Sequence, residues 1–393
     1  MLFNQSIFYP KRVQKKFIDF SDLLSKDCFS IVKSDTDLRV LNNSRFRNWL
    51  QLDNFVVLGT GGSSLGGQTI CAAAKKKNVQ FISNIDSDTL HDLMSQDLSK
   101  TGFLCISKSG ETLETIYSLL LIMSRLDNLK DRVVIVTENK ESSLRKIAIE
   151  NEFMCFEHPM TIGGRYSVFS LVGMIPAMIC GWEPKHIRTA GNRVLEDFAN
   201  AIYRVQEGCG FVLNSMDDNK STHVSFVYSD KMQYFGKWLT QLYAESSGKN
   251  GKGVTPIVAQ GSVDQHSQLQ LYMDGPVDKC YTFFFEKQKS DTVLSNIKLP
   301  ENFAYLRDMK ANTVLKSQYL ATSTALKENN NFVRTFEIPE LNAEALGALF
   351  MHFMLEVAGV CKMLDVNPFD QPAVEKGKII TKKLLNEENS NAL

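Results

Sequence analysis

The sequence predicts an α/β protein built from two doubly wound units, each a parallel sheet with helices on both faces in a three-layer αβα arrangement. Three observations carry that expectation. Short apolar, β-rich runs alternate with longer stretches of helical spacing, the mark of parallel βαβ units. The chain has 393 residues, more than one ordinary core encloses, so two units are expected. The alternation also occurs twice, on either side of the polar stretch "NSMDDNKST" (residues 214–222), without any exact internal repeat.

Taken in order, "NFVVLGT" is a buried strand entering a glycine-rich turn, and "VQFISNID", "GFLCISKS" and "RVVIVTEN" are three more strands, each ending in polar or turn residues. Between them Leu113, Ile116, Tyr117, Leu120 and Ser124 have helical spacing. The run "SVFSLVGMIPAMICGW" is broken by Gly173 and Pro176 and is too short to span a bilayer, so it predicts a buried helix. "HIRTAGNRVLEDFANAIYRV" predicts the next helix. The second alternation gives strands at "HVSFVYSD" and "CYTFFFEKQ" and a helix at "MQYFGKWLTQLYAES" with a buried face of Tyr234, Trp238 and Leu242. A long apolar helix follows at "LNAEALGALFMHFMLEVAGVCKML", then a C-terminal one at "QPAVEKGKIITKKLL". The expected division is residues 1–205, including an N-terminal extension, and residues 206–393, including the C-terminal helices. Residues 1–50 and 285–330 carry no clear pattern.

Composition narrows the function. Lysine plus arginine equals aspartate plus glutamate at 44 each, which argues against a nucleic-acid binder held by bulk charge but leaves room for a local anion site. Eight cysteines show no C-x-x-C or metal-like spacing. Cys71, Cys105, Cys155, Cys180 and Cys361 lie in apolar stretches and are expected in the core, which fits a reducing, cytoplasmic location. The N-terminus shows no signal-peptide pattern, and no membrane association is expected.

Two turns between strand and helix have the chemistry of anion sites. "LGTGGSSLGG" offers backbone N–H groups. From Gly59 a dinucleotide fingerprint would need glycine at position 64, which is Ser64; Asp86 stands about where a ribose-binding acid would be. No Gly-Lys-Ser/Thr follows, so this is not a P-loop. In "SKSGETLET", Ser107, Ser109 and Thr112 supply hydroxyls, Lys108 a cation, and the helix start free N–H groups. That set suits a phosphate monoester, whereas a lone Ser109 would be read as a helix cap. Further along, "GGRYS" places Arg165 in a turn, and Gln241 and Glu245 in "QLYAESSGK" share a helix face. "VDQHSQLQ" contains His266, and "NPFDQPAVEKGK" contains Gln371 and Lys378, with Pro372 suited to a first helical turn.

In chain order, "GTGGSSLGG", "SKSGETLET", "GGRYS", "ESSGK", "DQHS" and "NPFDQPAVEKGK" resemble the glucose-6-phosphate isomerase family. That resemblance implies two sugar-isomerase (SIS) domains of flavodoxin-like architecture and a cytoplasmic homodimer. It also implies interconversion of glucose 6-phosphate and fructose 6-phosphate in glycolysis and gluconeogenesis, without a metal or nucleotide cofactor. Carried over by motif, Ser107, Lys108, Ser109 and Thr112 hold the phosphate, while Gly62 and Ser63 lie beside the sugar. Glu245 is then the base and Arg165 steadies the intermediate. His266 and Lys378 open the sugar ring, with His266 expected from the neighbouring subunit, and Gln241 and Gln371 contact substrate. Thr60, Gly67, Ser247 and Pro372-Ala373 depart from the larger enzymes and resemble a compact bacterial-type branch.

The residue types suit the chemistry. One carboxylate takes a proton from C2 and returns it to C1. A permanently charged guanidinium faces the negative enediol-like intermediate, and imidazole moves a proton between ring oxygen and hydroxyl. Three alternatives remain at this level: an isomerase that also takes mannose 6-phosphate, a non-catalytic SIS module that senses sugar phosphates and, behind these, a dinucleotide-dependent enzyme. The other histidines, His91, His158, His186, His223 and His352, are expected to be structural.

Overall fold

The computed structural model describes residues 2–76, 78–199, 204–288 and 292–391. Its strands are β1 (Asn4–Phe8), β2 (Asn54–Leu58), β3 (Val79–Ile82), β4 (Thr101–Ile106), β5 (Val133–Thr137), β6 (Met154–Glu157), β7 (Thr222–Tyr228), β8 (Thr255–Gln260), β9 (Lys279–Glu286) and β10 (Phe332–Ile338). They form two five-stranded sheets, β3-β2-β4-β5-β6 and β1-β10-β9-β7-β8. The first is parallel throughout. The second is parallel except for β1, which runs antiparallel to β10. The doubly wound α/β class expected from the sequence is therefore the class observed.

Counted along each half, the parallel strands are wound in the same order, second-first-third-fourth, and β6 takes the fifth place in the first sheet. The order reverses between β2 and β4, and again between β7 and β9. At such a reversal the connecting segments leave in opposite directions and open a crevice beyond the carboxyl ends of the strands.

The assignment of the N-terminal extension to the first unit needs correction. Residues 4–8 cross to the second sheet, with register from Asn4 opposite Glu337 to Phe8 opposite Val333. The reason is edge coverage: β10 would otherwise present a row of unpaired backbone groups. The predicted helix over residues 186–205 is two elements, Pro184–Ala199 and Arg204–Asp217, and residues 200–203 lie outside the described ones. The first packs so closely on the Ala343–Met363 helix that a Cβ on Gly347 would overlap the Ile187 carbonyl. The second donates from Cys209 Sγ to the Glu356 carbonyl at 3.3 Å. One apolar core consequently joins both halves, from Phe29, Phe169 and Ile187 to Phe284, Leu349 and Phe353.

The Ala343–Met363 helix is long and apolar enough to cross a membrane by length and composition, yet 94% of its apolar window is buried. It is the central helix of this shared core. The helix after the serine turn, Leu113–Met123, forms as expected, but its core face is Thr115, Ser118, Leu119 and Ile122. Leu113, Tyr117 and Leu120 point to solvent. The helical spacing holds and the buried face differs, because small Thr115 and Ser118 let the helix lie close on the sheet. On the Gln233–Ser247 helix, Tyr234 is only half-buried, and Phe235, Leu239 and Tyr243 join Trp238 and Leu242 in the core. Cys155 and Cys180 are half-buried rather than buried. The patternless stretch 285–330 contains the Ala311–Glu328 helix, with Tyr319 stacked on Phe285 at 5.1 Å.

Candidate active site

The site begins at the crevice of the first sheet. The glycine turn leaves β2, and Gly61 adopts φ +55°, a left-handed conformation that glycine takes without strain. A Cβ on Gly61 would come 2.9 Å from Gln241 Nε2, and one on Gly62 would overlap the backbone of Gly164. Absent side chains at Gly61 and Gly62 thus let two turns and a helix from the second half converge. Ser64, which breaks the dinucleotide pattern, is buried and shares a 2.9 Å hydrogen bond with Ser83, while Gln68 donates to it at 2.6 Å. Asp86 accepts from the Thr89 N–H at 2.9 Å as a helix N-cap. The one dinucleotide cue, Asp86, is therefore spent on a helix cap, and Ser64 on a local hydroxyl network.

The serine turn leaves the neighbouring strand β4; a Cβ on Gly59 would lie 3.1 Å from the Ile106 carbonyl, so the two turns flank one crevice. Ser107 Oγ and Thr112 Oγ1 are 2.7 Å apart, and Gly110 N–H donates to Ser107 Oγ at 3.1 Å. Ser109 is exposed and accepts from Glu111 N–H at 3.2 Å. It does not cap the following helix, whose N-cap, Thr112, makes no side-chain capping bond. The first N–H groups of that helix are thus left for another acceptor, beside three hydroxyls. Lys108 lies 3.6 Å from the buried Glu138. The turn is braced from behind by Glu111, which accepts from the Ser143 N–H and hydroxyl at 2.6 and 2.8 Å.

Opposite these turns stands the carboxyl end of the Gln233–Ser247 helix. Gln241 Nε2 donates to Glu245 Oε1 at 2.8 Å, one helical turn away. Arg165, 2% exposed, donates from Nη1 to Glu245 Oε2 at 3.4 Å and to Gln371 Oε1 at 2.9 Å. Its Nε donates to Ser246 Oγ at 2.8 Å, and Tyr166 shares that hydroxyl at 3.1 Å. Its Nη2 donates to the carbonyls of Pro368 and Asp370. All five guanidinium N–H groups are engaged, so the cation is fixed in place. Lys249 pairs with Asp370 at 2.7 Å and donates to the Asn367 carbonyl, tying "ESSGK" to "NPFDQ".

Gly62, Arg165, Gln241, Glu245 and Gln371 are thus brought together, with Ser63 and the four serine-turn residues on the adjoining crevice. His266 and Lys378 are not in this group. His266 is exposed beyond the carboxyl end of β8, whereas Glu245 lies at a helix end near the amino end of that strand. Strand β8, six residues and so roughly 20 Å long at about 3.3 Å each, lies in the chain between the two. The His266 loop is bolted down by Gln265, which donates to Tyr228 Oη at 2.8 Å and to Thr322 Oγ1. Lys378 projects with the Glu375–Asn391 helix, exposed and paired with Glu375 at 2.8 Å. Sequence reasoning did not single out Ser246, Tyr166 or Lys249. The adjacency of Ser246 to Glu245 and of Tyr166 to Arg165 was the available signal.

The family model of phosphoglucose isomerase matches residues 47–393. Glucose-6-phosphate isomerase of Methanocaldococcus jannaschii is 32% identical over 361 residues, 88% of each chain. A hypothetical protein from Thermus thermophilus superposes with TM-score 0.84 at 29% identity, covering 91% of this chain and 90% of its own. A glucose-6-phosphate isomerase from Chlamydia trachomatis shares the fold at TM-score 0.76 and 20% identity, over 96% of this chain and 77% of its own. By the family model over residues 47–393 and by these likenesses, the chain belongs to the phosphoglucose isomerase family, enzymes that interconvert glucose 6-phosphate and fructose 6-phosphate.

Proposed function

We propose that in this isomerase Glu245 is the base that moves the proton between C2 and C1. The observation that carries the reading is the double hold on its carboxylate, by the Gln241 amide on one oxygen and the buried Arg165 on the other. A carboxylate held on both sides presents one aimed basic position to the open-chain sugar. Arg165 supplies fixed positive charge where the enediolate forms and does not move to do so. Ser107, Ser109, Thr112 and Lys108 take the 6-phosphate, with Gly62 and Ser63 beside the sugar and Gln241 and Gln371 on its hydroxyls. Binding energy at the phosphate then positions carbons remote from it.

In this reading the ring is opened by His266 and Lys378, and His266 acts on the site of a second copy in a homodimer. The separation of His266 from Glu245 along β8 supports that arrangement. Lys378 reaches the site when the exposed C-terminal helix turns about residues 371–374. A cytoplasmic location belongs to the same proposal, supported by eight free cysteines.

The test is Glu245→Gln, which keeps the shape and the Gln241 contact. Turnover of fructose 6-phosphate should fall by about 10³-fold or more while its binding is kept; near-normal turnover removes Glu245 from the role. Mixing inactive Glu245→Gln and His266→Ala proteins should restore part of the activity, since one hybrid site then holds both residues. If the mixture stays inactive after subunit exchange, the trans assignment is wrong.

A further inference from the structure

Cys71 and Cys180 lie outside the groups that bind or transform sugar, yet their sulfurs are 3.0 Å apart, in mutual hydrogen-bond contact. They are 109 positions apart in sequence. Cys71 is buried on the Leu65–Ala73 helix, which starts at the glycine turn. Cys180 is half-buried at the end of the Leu171–Ile179 helix, which follows the turn carrying Arg165. The two helices touch closely elsewhere too: a Cβ on Gly67 would lie 3.0 Å from Pro176 Cγ.

We infer that Cys71 and Cys180 form a reversible redox site, in which a peroxide or a disulfide-class oxidant converts the thiol pair to a disulfide that latches these two helices together. Geometry sets the order of events. Half-buried Cys180 meets the oxidant first: its sulfur attacks the peroxide O–O bond and becomes a sulfenic acid while one water leaves. The Cys71 sulfur then attacks that sulfur, the S–O bond breaks, and the thiol proton departs with the hydroxyl as a second water. In total two thiols lose two electrons and two protons, and one peroxide is reduced to two waters. The hydrogen bond with Cys180, and after it burial, holds the Cys71 thiol well above the ordinary thiol range, so Cys71 stays protonated until its neighbour is oxidised.

Reaching a bonded sulfur separation of about 2.05 Å takes a movement of about 1 Å. Gly181, directly after Cys180, has φ +78° and gives the chain freedom to absorb that movement at the helix end. The glycine turn and Arg165 sit at the opposite ends of these elements and stay in place. The disulfide would close a loop containing β3 to β6, nearly the whole first sheet, and so restrict the unfolded chain strongly.

The experiment is to treat the full-length enzyme with hydrogen peroxide, alkylate the remaining thiols and map the peptides by mass spectrometry. The expected result is one Cys71–Cys180 cross-link, reversed by dithiothreitol, with activity within about two-fold and a Tm raised by about 5 °C. Cys180→Ser should abolish both the cross-link and the Tm rise, and Cys71→Ala serves as the second variant should the change at half-buried Cys180 perturb folding. Recovery of both cysteines alkylated after oxidation, a bond to a different cysteine, or an undiminished Tm rise in either variant would overturn the inference.

Discussion

The two sheets share one winding and put it to opposite uses. In the first, the crevice between β2 and β4 is lined by glycine and hydroxyl residues and left open toward the second half. In the second, the matching crevice between β7 and β9 is stoppered. Ser229, just after β7, donates to Glu286 Oε2 at 2.7 Å, and Lys231 pairs with the other oxygen of Glu286, the last residue of β9. The second half instead serves the site from its amino-terminal side, through the far end of the Gln233–Ser247 helix. A repeated fold therefore does not repeat its site: one half offers the carboxyl edge of its sheet, the other the helix end that carries Glu245.

Breaking the stopper should have the largest effect, and on stability rather than chemistry. Glu286→Ala leaves Lys231 and Ser229 without their partner in a largely buried place. Loss of one member of such a pair costs about 3 kcal/mol. Denaturant unfolding should show that loss, while turnover at a permissive temperature stays within a few-fold. A comparable loss of turnover would mean the second crevice is also functional.

The reciprocal change is Gly62→Ala in the open crevice. The added methyl would overlap the backbone of Gly164, which cannot yield as a side chain does, and would push the Arg165 turn from the glycine turn. A displacement of that order costs about 10²-fold in kcat/KM, measured in the fructose 6-phosphate direction. Retained activity would show that the two turns need not meet. A smaller effect is expected from Thr112→Val, which removes a hydroxyl 2.7 Å from Ser107 Oγ and keeps the shape. KM should rise about ten-fold, the worth of one hydrogen bond to a charged group, with kcat changed much less. A fall in kcat with unchanged KM would place Thr112 elsewhere in the reaction.

What was legible in the sequence divides along the same line. Buried parallel strands are continuous apolar runs, so β2, β4, β5, β7 and β9 could be read directly. The edge strand β8, "TPIVAQ", is mostly half-exposed and contains a proline, and β10 carries Arg334 in its interior, so neither had a clean pattern. Arg334 is tolerated there because Glu356 takes both its Nη groups at 2.6 and 3.1 Å, a pairing across 22 residues that no local pattern reveals. Strand β1 was invisible because its partner lies more than 320 residues away. In the site, the turns and the Gln241–Glu245 spacing were legible because they are local. The saturation of Arg165 by residues 246 and 368–371 was not, since it exists only once both halves have docked.

Acid titration asks whether the two halves behave as one folding unit. His158 follows β6 in the first half, and burial lowers its pKa to about 4, helped by Lys108 and opposed by its hydrogen bond to the Pro159 carbonyl and by Glu138. His223 lies in β7 of the second half, where burial and then Arg334 lower it to about 3. An unfolded imidazole takes up its proton near 6.5. Between that value and the folded ones the unfolded chain binds more protons, so stability is whole above about pH 6.5 and drains away as pH falls toward 4 and 3. From pH 7 to pH 6 each histidine should cost about 0.7 kcal/mol. Because one core joins Phe169 to Phe284 and Leu349, both costs should appear in a single urea transition. His352, in the helix shared by both halves, is lowered by burial as well, so His158→Gln and His223→Gln should each remove only their own share, about 0.7 kcal/mol, of the loss from that same transition. If His158→Gln moved only one of two separated transitions, the halves would be independent units, and the shared core would not be what holds the open crevice against Glu245.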